Sequence, residues 1–201
     1  MDKFCPAIWA EEKPPAGIEN CRDCGLFEHG SRMVWGEGNP MAPIMVVLDN
    51  PGAREDKEGS PFVCGTRQTL QKAAAESGLS EDDLYVTYIL KRRPRKAYDK
   101  ENARRICMTT HLIAQLESKT PAFVFCLGNI AVQSFFENSD AEVKALRQQW
   151  HNVKRFQTAV SYHPLAVRRR PNLWTSFIDD WRILASAYRN AFTARIKRWP
   201  L

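Results

Sequence analysis

The stretch that most constrains this chain is Ile44-Met45-Val46-Val47-Leu48, followed at once by Asp49-Asn50-Pro51-Gly52. Five apolar, mostly branched residues predict a strand buried on both faces. Pro51 removes a backbone donor and Gly52 permits positive φ, so the strand must end there and the chain must turn. Asp49 and Asn50 are therefore presented at the carboxyl end of a buried strand, the edge where open α/β sheets bind ligands. A charged loop leads to Gly59-Ser60-Pro61-Phe62, where the aromatic is either a lid on a pocket or a plug in the core. Thr66 reads as the N-cap of a helix running to Ala75.

Two further apolar runs, Leu84–Leu90 and Phe123–Leu127, repeat the pattern, and Gln157–Ser161 reads as a fourth short strand. Helical spacing falls between them over Asp99–Glu117 and Asn129–Phe136 and after the last over Leu173–Phe192, and a helical turn is expected around Ala7–Glu12. Strands alternating with helices predict a three-layer α/β sandwich with a central four-stranded parallel sheet flanked by helices. At 201 residues and 44% hydrophobic content the chain suits one domain over 1–201. Residues 1–43 form a loop-rich lead-in with a cysteine motif, and 44–192 form the α/β core.

Each run ends in chemistry. The first gives Asp49 and Asn50, the second Tyr88 and a basic loop, the third Gly128-Asn129, the fourth His163-Pro164. If the strands are parallel, these residues share one rim. An acid, an imidazole, an aromatic and a basic surround in one cleft are an active-site composition. A lone histidine is more often a cap or core residue, but His163 stands beside Pro164 and the cluster Arg168-Arg169-Arg170.

The net charge of +6 is concentrated at Lys91–Lys96 and Arg168–Arg170, which suits phosphate contacts as well as a solvated face. No apolar run is long enough for a membrane span, and MDKFCPAIW lacks the apolar stretch of a signal peptide. A cytoplasmic protein with reduced thiols is expected. Of the six cysteines, Cys126 lies in an apolar run and reads as core, whereas Cys21-x2-Cys24 points to a metal or iron–sulfur site once further thiolates join it.

Taken together, Cys21-x2-Cys24, LDNPGAREDKEGSPFV, YVTYILKRRPR, Cys107, FCLGNIA and SYHPLAVRRRP resemble the uracil-DNA glycosylase superfamily, and its iron–sulfur type most closely. The resemblance runs from about Cys21 to Trp181. It implies a monofunctional DNA glycosylase that flips a base from DNA and hydrolyses its N-glycosidic bond, leaving an abasic site. It makes Asp49 or Asn50 the group acting on the attacking water or sugar cation. Asp49 is favoured for its charge, with His163 on the base carbonyl. Phe62 corresponds to the aromatic that stacks on the flipped base, and Tyr88 and Asn129 fall at base-facing positions. Leu165–Arg170 corresponds to the minor-groove loop, with Val167 as wedge. Arg168, Arg169, Arg170, Lys91 and Arg93 are then DNA contacts.

Two positions depart from the family pattern. Tyr88 stands where an Asn selects uracil; a phenol cannot pair with both N3–H and O4. The base is therefore uracil or a modified pyrimidine such as a bulky modified cytosine of phage DNA. Arg92 stands where a cluster cysteine is expected. Cys21, Cys24 and Cys107 remain, with Cys5 as a candidate fourth thiolate. A [4Fe–4S] cluster, zinc held with Cys5 or His29, and no metal are the alternatives. The rival reading of the whole chain is a non-catalytic DNA-binding relative. A monomer acting on DNA is expected.

Overall fold

The computed structural model describes residues 4–56 and 64–198, with side chains of the last helix described as far as Thr193. In chain order the strands are β1 Glu11–Glu12, β2 Gly36–Gly38, β3 Ile44–Leu48, β4 Leu84–Tyr88, β5 Phe123–Leu127, β6 His151–Val153 and β7 Phe156–Ser161. The helices are α1 Gly65–Glu76, α2 Lys100–Cys107, α3 Ile113–Lys119, α4 Asn129–Phe136, α5 Val143–Leu146, α6 Pro164–Arg169 and α7 Trp174–Arg198.

The four expected strands form the parallel centre, in the order β4-β3-β5-β7. Every residue of β3 is buried. Ile44, Val46 and Leu48 pack with Leu70 of α1 and Phe177, Trp181 and Leu184 of α7. Met45 and Val47 pack on the other face with Leu112, Leu116 and Phe135. Side chains alternate between faces along a strand, so a strand covered by helices on both sides must be apolar throughout. Trp181 is the largest wholly buried side chain and meets Phe125 edge-on at 5.0 Å.

Among the described residues the sheet has seven strands, not four. β2 pairs antiparallel with β4, and β1 pairs with β2, so the lead-in extends the sheet. The helical turn expected at Ala7–Glu12 is absent, and Glu11–Glu12 pair with Glu37 and Gly36 instead. On the other edge β6 and β7 form a hairpin through Lys154 and Arg155, both at positive φ (49° and 68°). Positive φ at both central residues matches the twist of a two-residue hairpin.

Thr66 is not a cap: α1 begins at Gly65 after Cys64, without a side-chain cap bond. Asp99 does cap α2, accepting the Asn102 N–H at 3.1 Å. The helix expected through Glu117 is interrupted by a π-helical turn, Met108–Leu112. The extra residue turns His111 into the interior and leaves Ile106 only half-buried.

The strand order places the site. From β3 the chain crosses to β4 on one side, then returns over β3 to β5 on the other. Connections diverge between β3 and β5, and open α/β sheets bind ligands outside the carboxyl ends at such a switch point. No described helix is long and apolar enough to cross a membrane.

Candidate active site

Asp49 leaves β3 at the switch point, and its backbone carbonyl is held by the Leu90 N–H at 2.9 Å. His163 leaves β7 two residues after Ser161. Between them, Gly128 ends β5 at φ 96°, where a Cβ would lie 2.8 Å from the Cβ of His163. Only glycine suits that conformation and that approach. It lets the imidazole lie across the end of β5, with Nε2 3.3 Å from Asp49 Oδ1.

The protonation of this pair follows from its partners. His163 Nδ1 accepts the Leu165 N–H at 3.1 Å as it caps α6. In the neutral ring the proton is therefore on Nε2, facing Asp49. Burial pushes the Asp49 carboxyl up, but the His163 hydrogen bond and charge and the Asn50 N–H hold it below its ordinary value. Asp49 is thus a carboxylate at neutral pH. Asn50 adjoins it, with its amide donating to Pro51 O at 2.8 Å.

A cleft of about 420 Å³ lies between the loop after β3, the start of α1 and α6; neither Asp49 nor His163 lines it. Gly52, Arg54, Glu55, Gly65, Leu165 and Arg168 contribute to its walls. A Cβ at Gly65 would collide with the Arg168 guanidinium, so glycine admits that cation to the start of α1. Arg168, Arg169 and Arg170 are all exposed. Phe62 lies outside the described residues.

Other expected site residues are placed differently. Lys91 is wholly buried; its amine donates to Thr87 Oγ1 at 2.6 Å, Tyr88 O at 2.9 Å and Gln115 Oε1. Burial depresses it to about 7. It is a core lysine, not a phosphate contact. Val167 is 3% exposed and packs in the core, because α6 turns that side chain toward α1 and α7, so it is no exposed wedge. Tyr88 is 1% exposed and its hydroxyl accepts from Arg67, which also pairs with Glu37. The phenol therefore faces α1, and burial raises its pKa. Asn129 is exposed at the rim but accepts the Val143 N–H at 3.1 Å. Arg93 is partly exposed, 3.9 Å from the buried carboxylate of Asp56, which Arg95 also binds.

The reading from sequence missed Arg67, Glu37, His111 and the Ser161–Asp180–Arg147 network. Arg67 carries a signal only in retrospect: its charge sits on the apolar face of α1, one turn before Leu70 and Gln71.

The cysteine motif folds as a knuckle. Cys21 accepts the Asp23 N–H, and Cys24 accepts the Leu26 N–H. The Cys24 and Cys107 thiols are hydrogen-bonded to each other, and Cys107 Sγ takes the Lys91 N–H at 3.3 Å. The Cys107 thiol and the Arg92 charge hold Cys24 down to about 6. Cys21 Sγ lies 3.3 Å from His111 Nε2. Cys5 is exposed beside Pro6, on the segment that runs along α1 through the Ala7–Gln71 bonds. His29 instead takes the Arg95 N–H at its Nδ1. Neither joins the knuckle. Among the described residues no three His, Cys, Asp or Glu side chains form a group that could hold a metal ion. As it stands the donor set does not fit a four-thiolate cluster.

A carboxylate and an imidazole face each other at the switch point of a helix-covered parallel sheet. That fold and site define the class of α/β sandwiches with an active site at the switch point of the sheet. A family model described as the uracil DNA glycosylase superfamily matches residues 35–185. The chain is 33% identical over 172 residues to the type-4 uracil-DNA glycosylase of Archaeoglobus fulgidus, covering 82% of this chain and 86% of the relative. Those of Sulfurisphaera tokodaii and Saccharolobus solfataricus are 30% and 28% identical, each covering 85% of this chain and 81% and 82% of the relative. The chain belongs to the uracil-DNA glycosylase superfamily, and it is an enzyme acting on DNA.

Proposed function

We propose that the chain removes uracil, or a modified pyrimidine that takes its place, from DNA as a monomer of one domain. The observation that carries this reading is the Asp49–His163 pair at the switch point. Cleaving an N-glycosidic bond leaves positive charge on the sugar and negative charge on the departing base. Asp49, held as a carboxylate, stabilises the sugar cation and orients the attacking water. The His163 Nε2–H rests on Asp49 in the free protein and is the donor for the base anion once a nucleotide is flipped in. Phe62 stacks on that base, and Asn129 lies on its rim.

The type-4 relatives carry uracil in their names. Tyr88 supports a modified pyrimidine, because its phenol is committed to Arg67 and offers no amide pair to N3–H and O4. Release of a bulky modified cytosine from phage DNA would serve defence in the cytoplasm rather than repair. The test is a panel of duplex and single-stranded DNAs, each with one altered base, scored for abasic sites. If Tyr88 merely replaces the uracil reader, Tyr88→Asn should raise uracil release. If it shapes a site for a bulkier base, the wild type should release the modified cytosine and ignore uracil, and Tyr88→Asn should lose that preference. Strong wild-type release of uracil, unchanged by Tyr88→Asn, would overturn the Tyr88 argument while leaving the glycosylase reading intact.

Replacing Arg168, Arg169 and Arg170 together by Ala should weaken binding to all sequences alike. The slope of log K against log salt should fall by roughly 1 for each phosphate that is no longer neutralised. An unchanged slope assigns these side chains to solvent.

A further inference from the structure

Arg92 leaves β4 among the three knuckle cysteines. It is 7% exposed. Its Nη1 donates to Ser31 O and its Nη2 to Glu19 O, while the guanidinium lies 5.0 Å from the Phe27 ring centre. Glu19 precedes Cys21 and Ser31 follows the turn after Cys24, so one side chain binds both flanks of the knuckle. The backbone continues the same tie: Arg92 bridges Met33, and the Val34 N–H donates to Lys91 O at 2.8 Å. The thiols already have partners, Cys24 with Cys107 and Cys21 with His111. Arg92 Nε and His111 Nδ1 are the buried polar atoms here that lack one.

A guanidinium has five N–H donors, no lone pair for a metal and a permanent charge. In the midst of three sulfurs it cannot serve as a ligand, and its charge disfavours a cation there. Its fork instead supplies the cross-link between knuckle and sheet that a metal centre would supply. We propose that Arg92 replaces the metal centre, and that the Cys21–Cys24–Cys107 knuckle is held shut by the Arg92–carbonyl and thiol hydrogen bonds with neither cluster nor zinc. This does not depend on which base is excised, because the site is judged by metal content and stability.

The experiment is anaerobic purification of the full chain from iron-replete, zinc-replete cells, followed by iron, sulfide and zinc analysis, visible absorption and thermal unfolding. The wild type should hold less than about a tenth of an equivalent of either metal, and its melting temperature should not respond to a strong chelator. Arg92→Cys supplies the missing thiol and should purify brown, with about four irons and four sulfides per chain. Arg92→Lys keeps the charge but loses the fork, so it should melt roughly 5 °C lower and remain metal-free. Stoichiometric iron and sulfide, or one zinc, in the wild type would overturn the proposal. So would a folded, colourless Arg92→Cys protein. If that variant does not fold, wild-type metal content and Arg92→Lys stability decide the matter alone. An Arg92→Lys protein as stable as wild type would refute the cross-link.

Discussion

Asp49→Ala and His163→Ala should each reduce base release by about 100- to 1000-fold, with DNA binding nearly unchanged. The two side chains act on charges that exist only in the transition state, so their loss lowers the rate of the chemical step rather than affinity. The measurement is single-turnover cleavage at saturating enzyme, beside a binding titration on uncleaved DNA. Because the two side chains touch, the double variant should be little worse than the worse single one. Asn50→Ala should cost less, since its amide is bound to Pro51 O rather than aimed at the rim. A fully active His163→Ala protein would refute the mechanism. If Asn50→Ala is dead and Asp49→Ala is active, the water belongs to Asn50.

The second large effect is on stability. Asp180 of α7 is almost wholly buried; it accepts the Ser161 hydroxyl at 2.6 Å and binds Arg147 through two hydrogen bonds of 3.0 and 2.9 Å. The Arg147 side chain is itself only 14% exposed. Asp180→Ala leaves that guanidinium and the Ser161 hydroxyl without their acceptor. Breaking one side of a buried pair costs about 3–5 kcal/mol, which for a chain of this length lowers the melting temperature by roughly 10 °C. Burial pushes the Asp180 carboxyl up while Ser161 and Arg147 hold it down, so Asp180→Asn, which keeps an acceptor, should cost less. A melting shift within about 2 °C for Asp180→Ala would show that the network contributes little. Because Ser161 ends the strand that carries His163, this variant should also lose activity before it unfolds.

The parts legible from the chain alone were those whose cause is local. β3 and β5 announce themselves because a strand covered on both faces is apolar throughout, with Pro51 and Gly128 closing them; β4 and β7 carry a weaker signal, with Thr87 in one and Gln157, Thr158 and Ser161 in the other. That was enough to place Asp49, Gly128 and His163 on one rim, since parallel strands bring their carboxyl ends to the same edge. Edge strands carry no such signal. β1, β2 and β6 are two or three residues long, and the pairing partners of β1 and β2 lie far along the chain.

Burial of charge was likewise decided in three dimensions. Lys91 reads as part of a basic loop, yet its amine finds Gln115, which is 24 residues away in the sequence. The partners of Arg67 come from other elements: Glu37 from β2 and Tyr88 from β4. Val167 reads as a wedge until α6 packs it against the core. A side chain's periodicity and punctuation are written in its neighbours along the chain. Whether a charge is solvated or paired depends on groups that only the fold brings within a few ångströms. The 3.3 Å between Asp49 and His163 is of that second kind, set by the unsubstituted Gly128 between them.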